Sequence, residues 1–144
     1  MRQEEMKLYL DRCRRFWRRC EPDLFIESIP VRAEFARTAE PVPFDERLKL
    51  EYKPIKIGED WGEAWDSAWF HLQADLPEAW AEREIAMQLN LSGESLIFNN
   101  DGTPMFALTG NSVINANYTK DICQFPKSFQ LGGRLDLYVE AAAN

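Results

Sequence analysis

The sequence predicts a mainly β chain, an antiparallel β-sandwich of jelly-roll type preceded by an N-terminal amphipathic helix. Three observations carry that prediction. From about residue 67 onward the chain breaks into short segments that alternate apolar and polar side chains with a period of two. Turn chemistry, notably Asn99-Asn100-Asp101-Gly102 and Gly132-Gly133, separates those segments. Residues 2–20 instead repeat their apolar side chains every three or four positions, which is the period of a helix. Short alternating strands joined by turns close into a sandwich because each buries only one face.

In chain order, Met6, Leu10, Cys13, Trp17 and Cys20 trace one stripe of the helix, with arginines on the other faces, and Pro22 ends it. A stripe of that kind is expected to cover something. Glu21 to Leu48, with Pro30, Pro41 and Pro43, reads as extended and loop-rich, with one short strand at Phe25 to Ile29; Ile55 to Ile57 reads as a second. Ser67 to Leu76 is the strongest strand: Ala68, Phe70, Leu72, Ala74 and Leu76 fall on one face, and Trp69, His71, Gln73 and Asp75 on the other. That alternation predicts a half-buried antiparallel strand with a polar face toward solvent, and Pro77 stops it.

Pro77 to Arg83 reads as a short helical turn carrying Trp80, and Ile85 to Leu91 and Ser95 to Phe98 follow as strands. The Asn-Asn-Asp-Gly turn predicts a hairpin from Leu96 to Leu108, because these residues accept the positive φ of tight turns. Weaker strands are expected at Ser112 to Ala116 and Ser128 to Leu131. Gly132-Gly133 then turns the chain into Arg134 to Ala141, where Leu135, Leu137, Val139 and Ala141 alternate with Arg134, Asp136, Tyr138 and Glu140. The predicted organisation is a helix over residues 1–22 and a sandwich domain over residues 23–144.

Composition narrows the functional classes. A chain of 144 residues fits one domain and buries roughly two thirds of the surface it exposes when unfolded. Nine Phe, five Trp and four Tyr supply an ordinary core without disulfide or metal. The net charge of −7 argues against nucleic acid or an anionic membrane as partner. The charge is uneven, with seven Arg/Lys against three Asp/Glu in residues 1–20, which suits docking of the basic segment on an acidic surface. No signal-peptide run and no stretch near ~18 apolar residues is present, so the expected address is the cytoplasm. Cys13 and Cys20 lie about 10 Å apart in helical rise, too far to bridge, and Cys123 adds no pattern.

The chemistry-bearing motifs are sparse. There is no G-x-S-x-G, no phosphate-binding glycine loop, no C-x-x-C and no H-E-x-x-H. His71, the single histidine, sits on the polar face of a strand without the partners a base or zinc ligand needs, and reads as a hydrogen-bonded surface residue. Glu59, Asp60, Glu63 and Asp66 cluster beside Trp61, Trp65 and Trp69. Such a group either offers ring faces and carboxylates to a sugar or packs its tryptophans under a loop or against a neighbour while the acids face water. Asp101 with Gly102 makes a turn that lacks the spaced oxygen ligands of a calcium loop. The sequons at Asn90-Leu91-Ser92 and Asn117-Tyr118-Thr119 have meaning only in a secreted protein.

Five motifs in order carry a family resemblance: W-G-x-x-W-D-S-A-W-F at Trp61 to Phe70, L-P-E-A-W at Leu76 to Trp80, D-G-x-P at Asp101 to Pro104, L-T-G at Leu108 to Gly110, and Y-V-E-A-A-A-N at Tyr138 to Asn144. Over residues 55–144 the chain resembles the N-terminal domain of α-mannosidases of glycoside hydrolase family 38, in the branch with the fungal vacuolar and many bacterial cytoplasmic enzymes. The resemblance implies a galactose-binding-like β-sandwich ahead of a zinc-dependent catalytic domain beyond residue 144. There, Asp and His residues hold the metal and an Asp nucleophile serves a retaining mechanism.

None of those positions lies in this chain, so the resemblance implies no catalytic residue, metal or cofactor within residues 1–144. The expected partners are the catalytic domain of the same polypeptide and further copies of the full-length enzyme. Three roles stand open at this point: an accessory domain that buttresses the catalytic domain or the oligomer, a carbohydrate-binding module for mannosides or other glycans using Trp65, Asp66, Trp69 and Asp101, and a hydrolase in its own right.

Overall fold

The computed structural model describes residues 3–110, 119–125 and 133–143. They fall into two compact units, Met1–Pro30 and Val31–Asn144. The first holds helix α1 (Gln3–Cys20) and a 3₁₀ turn at Glu21–Asp23. Glu4 and Glu5 in the first turn of α1, and Arg18 and Arg19 in its last, match the helix dipole. No residue of the helix is buried, and Met6, Leu10 and Trp17 of the predicted stripe are exposed. The strand expected at Phe25 to Ile29 does not form, because among the described residues of this unit no other strand is present to pair with it. The sequence-based boundary at residue 22 marks the end of the helix, whereas the compact units divide after Pro30.

The second unit is built from eight described strands: β1 (Arg32–Thr38), β2 (Lys53–Ile55), β3 (Ser67–Asp75), β4 (Ile85–Gln88), β5 (Glu94–Phe98), β6 (Pro104–Thr109), β7 (Ile122–Phe125) and β8 (Arg134–Ala142). Six form one sheet in the order β2-β1-β3-β8-β5-β6, and β4 pairs with β7 in a second. Every pairing is antiparallel. The mainly β, antiparallel, jelly-roll architecture behind an N-terminal helix is therefore the one the alternation predicted. The weak strands expected at residues 112–116 and 128–131 lie outside the described residues.

The centre of the large sheet is the β3–β8 ladder, which pairs Ser67 with Ala142 and runs without a break to Asp75 opposite Arg134. Directly opposite residues share a face, so Phe70 with Val139, Leu72 with Leu137 and Ala74 with Leu135 line one side. Ile97 and Leu108 extend that apolar face through β5 and β6, and all of these side chains are buried. The small sheet contributes Met87, Cys123 and Phe125, also buried, and Phe125 meets Phe106 of β6 edge to face at 5.7 Å. Two sheets packed through their apolar faces make the sandwich core. Cys123 serves as a core residue: its thiol lies 3.4 Å from the Met87 carbonyl, and burial pushes its pKa up to about 11.

Three strands depart from the sequence reading. β1 is one of them, since Arg32, Glu34 and Arg37 give it the look of solvated chain. Its strand character comes from seven paired positions along β3, with Phe35 stacked on Phe70 at 5.8 Å. β7 is too short for its alternation to stand out and exists through its register with β4, Met87 opposite Cys123. β2 covers Lys53–Ile55 and not Ile55 to Ile57, and pairs at the sheet edge where Pro54 costs little.

The predicted hairpin forms between β5 and β6, with Leu96 opposite Ala107. Asn99 organises its turn, accepting at Oδ1 from the Asp101 and Thr103 amides at 3.1 and 2.8 Å. Gly102 sits at φ +86° with the Phe44 ring against the place a Cβ would occupy, so only glycine fits. At the far end of β5, Gly93 lies so close to β8 that a Cβ would run into the Ala142 carbonyl oxygen.

Leu137, 1% exposed at the centre of the ladder, reports on this core. Leu137→Ala is expected to cost about 2–5 kcal/mol of stability, read as a lower midpoint in urea unfolding at constant m value; an unchanged midpoint would mean that the two sheets do not pack through this face.

Candidate functional site

The tryptophan segment folds into a tight loop ahead of β3. The Asp66 carboxylate organises it: Oδ2 accepts from the Glu63 amide at 2.6 Å and pairs with the Arg37 guanidinium at 2.6 Å, while the Asp66 amide donates to the Glu63 carbonyl at 3.0 Å. Gly62 lies directly beneath, where a Cβ would sit 3.1 Å from Asp66 Oδ2. The loop joins the end of β8, because the Trp65 amide donates to the Ala143 carbonyl at 2.6 Å and the Ala143 amide donates to the Asp66 carbonyl at 2.9 Å. This geometry holds Trp65 at φ +75°, a left-handed backbone that a bulky side chain adopts only under constraint. The Trp65 ring is 83% exposed.

The four sequence-predicted binding residues do not converge. Trp65 and Asp66 are neighbours in this loop, at the end of the sheet where Ser67, Ala142 and Glu94 lie side by side. Asp101 follows the opposite end of β5, in the hairpin turn. Hydrogen bonds from Thr103 hold its carboxyl below the usual carboxylate value.

Trp69 is only 1% exposed, although the alternation had placed it on a solvent face. Its ring lies against Phe98 and Phe44, with centroids at 5.3 and 5.9 Å, and its indole N–H donates to the Val42 carbonyl at 2.8 Å. The 3₁₀ turn Phe44–Lys49 and the chain before it supply that cover, which leaves no face of this ring open to a sugar. Trp61 is held in the same way, its N–H on the Leu91 carbonyl at 2.8 Å and its ring edge-on to Phe70 at 5.5 Å.

Beside Trp69, the same outer face of the sheet carries a polar and aromatic cluster that sequence reasoning left dispersed. His71 Nε2 lies 2.8 Å from Asp136 Oδ1, the Gln73 amide donates to Asp136 Oδ2 at 3.0 Å, and Arg134 stands 3.5 Å from the same oxygen. Glu34 Oε2 is 4.0 Å from His71 Nδ1. The imidazole stacks on Tyr138 at 4.5 Å with the planes 2° apart, and Tyr52 meets both rings edge-on. Arg47 continues the stack, its guanidinium 3.4 Å from the Phe44 centroid and 4.3 Å from that of Tyr138. It is 7% exposed, donates to the Phe44 carbonyl at 2.8 Å and has no carboxylate partner among the described residues. Face-on aromatic contact stabilises its charge instead.

Electrostatics in this cluster favour fixed protonation states at neutral pH. Burial pushes the Tyr52 hydroxyl up to about 12 and raises Tyr138 as well, so both stay protonated. Burial also raises Glu140. For Asp136 burial acts upward too, but hydrogen bonds from His71 and Gln73, with the charges of His71 and Arg134, outweigh it and bring the carboxyl below its ordinary value. Asp136 thus spends both carboxylate oxygens inside the fold, one on His71 and one on Gln73. Among the described residues no three His, Cys, Asp or Glu side chains gather as a metal site. The signal that could have found the cluster is the parity of His71 and Gln73 on β3 and of Asp136 and Tyr138 on β8. It becomes a constellation only once the register of the two strands is known.

Comparison with known proteins places this geometry. A family model described as "Alpha-mannosidase, jelly roll domain" matches residues 28–144. The chain is similar to Alpha-mannosidase 2C1 of Homo sapiens, 31% identical over 126 residues, which cover 84% of this chain and 11% of that protein. It is similar to Alpha-mannosidase 2C1 of Mus musculus, 29% identical over 123 residues, 84% of this chain and 11% of that protein. To Alpha-mannosidase G of Dictyostelium discoideum it is 28% identical over 117 residues, 81% of this chain and 10% of that protein. The chain thus spans about a tenth of the length of the curated relatives it matches.

Asp136 gives the outer-face cluster a testable pH signature. Its folded pKa lies below the ordinary 3.8, so its contribution is fully present above that value and is lost as pH falls through the folded pKa. Urea midpoints measured from about pH 7 down to about pH 2.5 are expected to fall more steeply for the natural chain than for Asp136→Asn. Parallel curves would show that the His71–Asp136 pair adds nothing to folding.

Proposed function

The chain belongs to the jelly roll domain family of the alpha-mannosidases, and on that premise we propose that it is the accessory domain of a longer, zinc-dependent, retaining α-mannosidase, supporting the catalytic domain or the oligomer without catalysing. In that enzyme the metal and the carboxylate nucleophile that cleave α-mannosidic linkages belong to the portion outside residues 1–144. The observation that carries the reading is the scale of the match: 84% of this chain corresponds to only 11% of Alpha-mannosidase 2C1. The interior of the domain agrees with a supporting role. Asp66 and Asp136 are engaged with Arg37, His71 and Gln73, and Trp61 and Trp69 are held in packing contacts.

The proposed enzyme belongs to glycoside hydrolase family 38, in the branch with the fungal vacuolar and bacterial cytoplasmic proteins, and works as a homo-oligomer in the cytoplasm. No helix among the described residues is long and apolar enough to cross a membrane.

The test is a comparison of the 144-residue chain with the full-length protein, both supplied with zinc, on an aryl α-mannoside. The isolated chain is expected to give a flat trace and the full-length protein turnover; deleting residues 28–144 is expected to shorten the full-length enzyme's half-life at elevated temperature. Turnover by the isolated chain, or a deletion that leaves stability and oligomeric state untouched, would defeat the accessory reading.

A further inference from the structure

Of the three tryptophans in the motif, only Trp65 is exposed and has no ring contact among the described residues. Trp61 and Trp69 each donate an indole N–H to a carbonyl and pack on phenylalanines, whereas the Trp65 ring is 83% exposed. Its backbone stands at φ +75°, a conformation suited to glycine or asparagine and costly for a tryptophan. The loop enforces that conformation through Asp66, Arg37, Glu63 and the Ala143 backbone. A large apolar side chain left in solvent on a backbone that the loop holds fixed contributes little to the stability of its own domain. It has the properties of an anchor for something else, since its backbone is already fixed and covering a tryptophan orders only two side-chain torsions.

We propose that Trp65 is the docking anchor for the remainder of the α-mannosidase polypeptide, a proposal that rests on the accessory-domain reading above. Two features select that occupant over a glycan. The end of β8 is stitched to this loop, with the Ala143 carbonyl accepting from the Trp65 amide, so on that reading the rest of the enzyme emerges within a few residues of the ring. Tethering at that point gives the partner a high effective concentration, and a single aromatic anchor then suffices. A sugar platform, by contrast, needs polar groups free beside the ring. The adjacent Asp66 carboxylate is turned inward, its side chain 16% exposed and its Oδ2 already shared by Arg37 and the Glu63 amide.

Trp65→Asn separates anchoring from folding, because asparagine accepts this backbone without strain. The substitution is made in the full-length enzyme, where the tether is intact, and limited proteolysis follows how readily the domain is released. Trp65→Asn is expected to speed release of the domain by about tenfold or more, while the melting temperature of the 144-residue chain carrying the same change stays level or rises. Equal release rates would overturn the anchor and leave the accessory reading intact. Release of the natural domain that leaves the enzyme's stability and oligomeric state untouched would overturn both. Quenching of the natural chain's fluorescence by mannosides, lost in Trp65→Asn, would overturn the anchor in favour of a glycan platform.

Discussion

The structure depends on one ladder, the pairing of β3 with β8. Its nine opposed positions sort both strands into two faces at once, with Phe70, Leu72 and Ala74 meeting Val139, Leu137 and Leu135 on one side. Trp69, His71 and Gln73 meet Glu140, Tyr138 and Asp136 on the other. A slip of one residue would exchange the faces, placing a histidine and carboxylates in the sandwich core. The register is specified twice, by hydrophobic burial on the inner face and by the His71–Asp136 and Gln73–Asp136 hydrogen bonds on the outer. The same ladder runs on past its last strand residues into the Ala143–Asp66 contact, and in that way it also sets the Trp65 loop.

The outer face shows how a strand patterned for half burial becomes covered on both sides. The 3₁₀ turn at Phe44–Lys49 lays Phe44 across Trp69, Phe98 and Gly102, and brings Arg47 down between Phe44 and Tyr138. A buried guanidinium without a carboxylate is ordinarily costly. This one, without a carboxylate partner among the described residues, lies against two aromatic faces and donates to a backbone carbonyl while its Nε has no hydrogen-bond partner there, and its neighbours Tyr52 and Tyr138 stay neutral. The arrangement builds a second, aromatic layer on a sheet that the small β4–β7 sheet covers from the other side.

The family motif from Trp61 to Phe70 is therefore mostly architectural. Trp61 closes on Phe70 and the Leu91 carbonyl, Asp66 locks the loop to Arg37, Trp69 fills the outer layer and Phe70 the inner core. Each is satisfied by a partner distant in sequence, Leu91 for Trp61, Arg37 for Asp66 and Val42 for Trp69. Trp65 stands apart as the member whose side chain the domain itself does not use.

What could be read without coordinates was whatever depends on near neighbours in the chain. The α1 stripe, the alternation of β3 and β8, and the Asn99–Gly102 hairpin follow from local periodicity and turn chemistry, and their assembly into an antiparallel sandwich follows from burying one face of each strand. The motif series pointed to the mannosidase family because its spacing is itself local. Tertiary structure decided the rest. β1 and β7 are strands through pairing with distant partners, which a charged or very short segment does not advertise. Trp69 is inside because residues 42–47 fold over it, an event more than twenty positions away in sequence. His71 and Asp136 meet across sixty-five residues, and only the strand register brings them together. Trp65, alike in type to Trp61 and Trp69, differs from them in backbone angle, exposure and side-chain partners, and its backbone is set by the contacts of Asp66 and Ala143 and not by the residue itself.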